Sequence, residues 1–116
     1  MVETTVLNDL KDVLNVAQED SGFDSELLTD INGAVAAFSQ VGTLKSPVPI
    51  VEKGTTWDAL FDTASDNETK MLLRQYVYLK TKVLFDPPQP TTLSAMNEAA
   101  KELLWRSEQL ASEGGE

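Results

Sequence analysis

The chain has 116 residues, of which 41% are apolar and 24% charged, and this is the composition of one ordinary globular domain. It contains no cysteine and no histidine, which excludes disulfides, thiol nucleophiles, the usual zinc sites and histidine acid–base catalysis. The net charge of −10 argues against a surface that grips nucleic acid as a whole. The first residues are acidic and no apolar run approaches the roughly 18 residues of a membrane span. We therefore expect a cytoplasmic protein with no membrane segment, no metal and no cofactor.

Charge is distributed unevenly along the chain. Residues 1–30 contain eight acids and one lysine, a net charge of −7, whereas residues 70–82 contain four bases and no acid, a net charge of +4. Two interpretations stay open. Either these are two solvated faces of opposite sign, or the acidic end of one subunit meets the basic helix of its neighbour in a head-to-tail assembly.

Two helices are predicted in the first third of the chain. The first covers residues 5–16, with Thr4 or Thr5 as its cap and an apolar stripe formed by Val6, Leu10, Val13 and Leu14. A polar turn follows, in which Gly22 can take a positive φ. The second helix starts at a cap on Asp24 or Ser25 and reaches about residue 41. Its apolar positions are Leu27, Leu28, Ile31, Val35 and Phe38, and Gly33 in its middle suggests a close helix–helix contact.

Residues 43–56 form the most irregular stretch. Pro47 and Pro49 rule out a helix and a central strand. The segment either lies across the bundle and buries Val48 and Ile50, or, if the chain assembles into a ring, reaches an adjacent subunit or the partner ring. A short helix at residues 57–61 follows, capped by Thr55 or Thr56, with the aromatic and aliphatic side chains Trp57, Leu60 and Phe61 on one side.

The helix predicted at residues 67–85 is the element around which the chain is organised. One stripe of its wide apolar face consists of Leu72, Tyr76, Leu79 and Val83, and a second row of Leu73, Val77 and Leu84. Ser65 and Glu68 have the spacing of a capping box, with Asp66 and Asn67 as competing caps. The sequence Asp86-Pro87-Pro88 ends the helix, because proline cannot donate the next hydrogen bond.

A last helix is predicted from a cap at Thr91 or Thr92 to about residue 111. Its inner face consists of Leu93, Met96, Ala100, Leu103 and Leu110. Because the connection is short, we expect the last two helices to pack as an antiparallel hairpin. The predicted fold is therefore all-α: a small helical bundle in one domain, residues 1–111, with this hairpin, one long proline-containing loop and a flexible acidic tail at 112–116.

The sequence contains no recognisable catalytic motif. The acids Glu19, Asp20, Asp24 and Glu26 lack the spacing of a calcium loop and are typical of a helix N-terminus. No phosphate-binding glycine loop or nucleophile elbow is present. The four bases of residues 70–82 are read as an ion-pairing face rather than a nucleic-acid platform, because they are not interleaved with exposed aromatic side chains.

Two short segments resemble a known family. Residues 76–88, Tyr-Val-Tyr-Leu-Lys-Thr-Lys-Val-Leu-Phe-Asp-Pro-Pro, and residues 102–106, Glu-Leu-Leu-Trp-Arg, are similar to the C-terminal half of the head-to-tail connector (adaptor) proteins of long-tailed bacteriophages. The resemblance implies a structural, non-enzymatic virion protein that forms a ring, dodecameric if it matches a portal. The implied partners are other copies of itself, the portal protein and the next neck or tail-completion protein. Assembly would occur in the host cytoplasm, and the mature position would be the virion neck, where DNA passes through without specific binding.

Two sets of residues are predicted to serve this role. The predicted subunit or portal interface consists of Lys45, Val48, Ile50, Lys70, Arg74, Lys80, Lys82 and Arg106. The predicted channel-facing acids are Glu19, Asp20, Asp24 and Glu26. Two other functions remain open: a small metal-dependent nuclease that uses carboxylate clusters, and a cytoplasmic regulatory helical module that binds one partner.

Overall fold

Five α-helices run through the part of the chain that the structure, a computed structural model, describes: residues 5–40, 44, 48–64 and 66–114, with side chains to residue 110. They are α1 (Val6–Val13), α2 (Asp24–Ser39), α3 (Trp57–Phe61), α4 (Asn67–Phe85) and α5 (Pro90–Gly114). The only extended pairings within these ranges are two isolated bridges, Thr5 with Thr56 and Leu44 with Ala64. The all-α prediction is confirmed.

The boundaries of α4 agree with the prediction at both ends. Asp66 is the N-cap, and its side chain accepts a hydrogen bond from the Thr69 amide at 2.7 Å. Asn67, the competing cap, is the first residue of the helix, and Ser65 of the predicted capping box lies outside the described residues. The helix ends at Phe85, with Asp86 in a non-helical conformation before the two prolines.

Helix α4 is the central element, because it packs against both α2 and α5. Two aromatic contacts show that α2 and α4 run antiparallel. The rings of Phe23 and Phe85 lie 5.4 Å apart, and those of Phe38 and Tyr76 lie 5.8 Å apart. The fully buried apolar side chains of the core come from four helices and from the proline-containing loop at residues 43–56, which we call the proline loop: Val6, Leu10, Leu27, Ile31, Ala34, Phe38, Val51, Leu60, Leu73 and Val77.

In the C-terminal half of α4, the buried face is rotated about the helix axis relative to the predicted face. Leu84, predicted to be buried, is 46% exposed, while Leu79 and Val83 are only half-buried. Thr81 is completely buried instead, four residues after the buried Val77 and therefore on the same face. A search for apolar spacing cannot predict the burial of Thr81, because threonine is polar.

Helix α1 is shorter than predicted. Thr5 caps it as expected, accepting a hydrogen bond from the Asn8 amide, but the helix ends at Val13. Asn15 has a φ of 60°, so the chain turns there through the left-handed region that asparagine tolerates. Val13 is 42% exposed rather than buried. The positive φ predicted for Gly22 is not found at that residue.

Helix α2 differs from the prediction at its start and in its middle. Phe23 occupies the N-cap position without a side-chain hydrogen bond, and neither Asp24 nor Ser25 caps the helix. Gly33 is exposed, and nothing lies within 4 Å of where a Cβ atom would stand. The close contact predicted at Gly33 is therefore absent among the described residues of the protomer.

Helix α5 begins earlier and ends later than predicted. Pro90 is its first residue, a position where the missing N–H costs nothing, so the predicted caps Thr91 and Thr92 lie inside the helix. The helix continues to Gly114, and the last two residues of the predicted flexible tail lie outside the described residues. Ala100 and Leu103 are buried as expected, and Leu110 packs against the core. The antiparallel sense of the α4–α5 pair stays a prediction.

Candidate functional site

A polar cluster that we call the Asp9 cluster, consisting of Asp9, Trp57, Arg74 and Tyr78, joins three helices. Asp9 on α1 uses a single oxygen, Oδ2, to accept hydrogen bonds from Trp57 Nε1 at 2.8 Å, from the Tyr78 hydroxyl and from Arg74 Nη2 at 3.2 Å. Tyr78 also accepts a hydrogen bond from Arg74 Nε at 2.7 Å. The cluster thereby ties α1 and α3 to the side of α4.

The guanidinium of Arg74 lies against two aromatic rings of the Asp9 cluster. It is 5.7 Å from the centre of the Trp57 ring and 5.4 Å from that of Tyr78, within cation–π distance. Partial burial opposes the charge of Arg74, yet the hydrogen bond to Tyr78 and the negative charge of Asp9 outweigh it and raise its pKa. Burial and the hydrogen bond to Asp9 likewise raise the pKa of Tyr78. Arg74 is therefore a fixed cation with half of its side chain still exposed.

The four predicted interface bases of α4 have different environments. Arg74 is bound within the Asp9 cluster, and Lys82 forms an ion pair at 2.8 Å with Asp86 on the next turn. Lys70 and Lys80 are half-buried and form no ion pair with any residue that the structure describes. An acid of the N-terminal third and a base of α4 thus meet within one protomer, and Lys70 and Lys80 are the two bases of α4 that have no ion pair with the described residues.

The loop between α1 and α2 is organised around a buried lysine that the sequence did not single out. Lys11 is 3% exposed, and its ammonium donates to the carbonyl oxygens of Gln18 at 3.2 Å and Asp20 at 3.0 Å. It lies 2.6 Å from a carboxylate oxygen of Asp24. Asp20 also accepts a hydrogen bond from the Gly22 amide at 2.9 Å. These contacts tie the loop at residues 14–23, which we call the acidic loop, to the last turn of α1 and the first residue of α2.

The four predicted channel-facing acids separate into two groups. Glu19, Asp20 and Glu26 are exposed. Asp24 is buried beside Lys11, with Lys53 3.7 Å from its other oxygen. The hydrogen bond from Lys11, partly offset by desolvation, lowers the pKa of Asp24. Because its charge is neutralised inside the protomer, Asp24 is withdrawn from the channel-facing set.

Residues 48–51 of the proline loop lie against α2 and are held there by the side chain of Asn32. Asn32 accepts from the Val51 amide at 2.8 Å and donates to the Val51 carbonyl at 3.0 Å. Val51 is buried and Val48 half-buried, whereas Ile50 is 75% exposed. The prediction that the loop buries Val48 and Ile50 is therefore correct for Val48 and wrong for Ile50. Lys45 lies outside the described residues.

A groove of about 530 Å³ opens between α2 and this loop. Its walls are Thr29, Asn32, Val35, Ala36 and Ser39 from the helix, and Val48, Pro49 and Ile50 from the loop. None of these side chains is charged. The part of the groove lined by these residues is uncharged and mainly apolar.

The outer face of α5 presents charges that pair along the helix. Arg106 lies 3.3 Å from Glu102 and is 58% exposed, and Lys101 lies 3.5 Å from Glu98. Trp105 stands among them with 58% of its surface exposed. The predicted interface residue Arg106 is thus on the surface, beside a large aromatic side chain.

The described residues do not bring three metal-binding side chains together in any one place. No helix within the same residues has the length and apolar character needed to cross a membrane.

Residues 6–113 match the model of a family described as phage connector protein. The chain belongs to the phage connector protein family. The match extends from the first residue of α1 almost to the end of α5, so it covers the acidic N-terminal third as well as the α4–α5 region that carries the resemblance. No curated protein and no solved structure matches the sequence significantly.

The Asp9 cluster and the surfaces around it are therefore parts of a structural connector protein of a bacteriophage. In such a protein an exposed charge or an exposed apolar side chain is a candidate for contact with another virion protein. The exposed carboxylates of Glu19 and Asp20 are such candidates, and Lys11 binds the backbone of the loop that carries them.

Proposed function

We propose that the chain is a head-to-tail adaptor that forms a ring, dodecameric if it matches the portal, in the virion neck. The ring lies between the portal protein and the next neck or tail-completion protein, and its role is structural rather than catalytic. The observation that carries the proposal is the match to the phage connector family over residues 6–113. Assembly takes place in the host cytoplasm before the neck is complete.

The charges of the protomer support a polar contact between unlike surfaces. Lys70 and Lys80 on α4 are half-buried and form no ion pair with the described residues, while the acidic N-terminal third exposes Asp12, which is not one of the proposed channel-facing acids. Contacts between oppositely charged patches guide association and fix its register. We place Lys70 and Lys80, and with them the partly exposed Arg74, Lys82 and Arg106, at the subunit or portal contact.

The net charge of −10 supports a channel that repels DNA. Genomic DNA passes through a ring at this position, and an acidic wall does not hold phosphates as a basic wall would. We propose that Glu19, Asp20 and Glu26 face the lumen or its rim. The assembled ring should then show no affinity for duplex DNA at low salt.

Co-expression with the portal protein encoded by the same phage tests the proposal. We expect an affinity-tagged portal to retain the untagged chain as a ring, visible in electron-microscopy class averages with the rotational symmetry of the portal. Failure of the chain to bind the portal and to form any ring would overturn the adaptor function. Binding of duplex DNA by an assembled ring at low salt would overturn only the repulsive channel.

A further inference from the structure

Trp105 lies at the centre of the outer face of α5. The buried residues Ala100, Leu103 and Ser107 mark the inner face, and at about 100° per residue Trp105 points almost directly away from it. A tryptophan side chain can bury about 150–250 Å² on contact, yet this one is 58% exposed. Exposed tryptophans are rare on monomer surfaces and common at the energetic centres of interfaces.

The α2–loop groove is a concave counterpart on a different part of the protomer. Its volume of about 530 Å³ falls within the roughly 300–1,000 Å³ range of sites that enclose small molecules, so an indole ring can enter it. Ile50, 75% exposed, stands at its rim, and the Asn32 clamp holds the loop wall in position. Helix α4 packs between α2 and α5, which separates the groove from Trp105.

Charge supports a contact between these two surfaces. The described groove walls carry no charged side chain, and four of the ions beside Trp105 are paired on their own helix, Arg106 with Glu102 and Lys101 with Glu98. Glu108, one turn after Trp105, is exposed and forms no ion pair with the described residues. Burial of Trp105 in the groove would therefore bury no charge of the described groove walls and would leave both ion pairs of α5 in place, with Glu108 as the unpaired charge near the contact. A protruding side chain and a receiving groove on separate faces of one chain make a heterologous, head-to-tail contact, which can close into a ring.

We propose that Trp105 of one subunit inserts into the α2–loop groove of the adjacent subunit. This inference rests on the ring proposed above and names its apolar contact. The occupant of the groove is a second copy of this chain, and Ile50 closes over the indole ring from the loop side.

Three substitutions, each at an exposed residue, test the contact. Trp105→Ala removes the inserting side chain, and Ala36→Trp fills the groove from its own wall. Met71→Ala is the matched control, because Met71 is 61% exposed on α4 and outside the groove. Sedimentation velocity measures the concentration for half-maximal assembly, with the portal protein of the same phage present if the chain alone stays monomeric. We expect the first two variants to raise that concentration about 30-fold, as for an interface hot spot, and the control to change it less than about threefold.

Because the chain has no cysteine, disulfide trapping can locate the contact directly. One copy carries Gln109→Cys, one turn after Trp105, and a second copy with a different tag carries Ile50→Cys. We expect a mixed-tag disulfide in the assembly and circular dichroism spectra unchanged from the parent chain. Assembly of Trp105→Ala or Ala36→Trp at the parent concentration, or disulfides only between two Gln109→Cys copies, would overturn the groove contact and leave the ring intact. A parent chain that forms no ring with or without the portal would overturn both.

Discussion

The ammonium of Lys11 lies 2.6 Å from the carboxylate of Asp24, and the two side chains are 3% and 11% exposed. This pair joins the last turn of α1 to the first residue of α2 across the acidic loop. The Lys11 ammonium also donates hydrogen bonds to two carbonyl oxygens of the same loop, so it has three acceptors for its three N–H groups. A buried cation with three acceptors is a structural anchor, because removal of any partner leaves a buried charge unpaired.

The Lys11–Asp24 pair should make folding sensitive to acid. The hydrogen bond from Lys11 lowers the pKa of Asp24 below its ordinary value of 3.8, so the unfolded chain binds the proton more tightly than the folded one. The stabilisation is complete above the unfolded pKa and is lost as the pH falls through the lower folded pKa. Urea unfolding at pH 7 and pH 3 should therefore show a smaller acid-induced loss of unfolding free energy for Asp24→Asn than for the parent chain.

Glu26→Gln is the control for this experiment, since Glu26 is an exposed acid in the same helical turn. Part of the acid dependence will remain in Asp24→Asn, because the amide of Thr69 also lowers the pKa of Asp66. Parallel pH profiles for Asp24→Asn and the parent chain would contradict the anchoring role.

Two leucines of α4 should differ in their contribution to stability. Leu73 is completely buried, so Leu73→Ala should cost about 2–5 kcal/mol of unfolding free energy through lost burial and the cavity left behind. Leu79 is half-buried, and Leu79→Ala should cost about 1–2 kcal/mol. Chemical denaturation of both variants measures the difference. Equal costs would mean that the buried face of α4 is the predicted stripe and not the observed one.

Replacing Gly33 by alanine should stabilise the protomer. The residue is exposed in the middle of α2, and a Cβ atom there meets nothing within 4 Å. Gly33→Ala should raise the unfolding free energy by about 0.5–1 kcal/mol, because glycine loses more backbone entropy on entering a helix. The reverse change at an exposed neighbour, Ala36→Gly, should lower it by a similar amount. Thermal unfolding measures the stability of both variants against the parent chain. A loss of stability in Gly33→Ala would show that the protomer has no room for a larger side chain at Gly33.

Charge reversal on α4 should weaken assembly without unfolding the protomer. Among the described residues, Lys80 forms no ion pair and Lys82 pairs with Asp86, the residue that follows the end of α4. The double variant Lys80→Glu and Lys82→Glu should raise the concentration for assembly or portal docking about tenfold at low salt, with less effect at high salt. The double variant Lys80→Arg and Lys82→Arg, which keeps both positive charges, is the control. Salt-independent assembly, or assembly unaffected by the double variant, would remove these lysines from the interface.

Local signals predicted the start and end of α4 correctly. The Asp66 cap acts over three residues, and the two prolines end the helix by steric exclusion of the neighbouring residue, so neither depends on the rest of the fold. The same is true of the Thr5 and Thr56 caps. The central position of α4 also followed from its composition, since a wide apolar face must be covered on more than one side.

Only the tertiary structure decided which charged residues face solvent. Asp9 meets Trp57, Arg74 and Tyr78 across 48 to 69 positions of sequence, and no periodicity within one helix connects them. Asp24 resembles its exposed neighbours in sequence, yet it is buried because Lys11 of another helix lies beside it. The two groove walls likewise meet because Asn32 clamps Val51. Helix ends depend on neighbours three or four residues away, whereas burial of a charge depends on partners that only packing brings together.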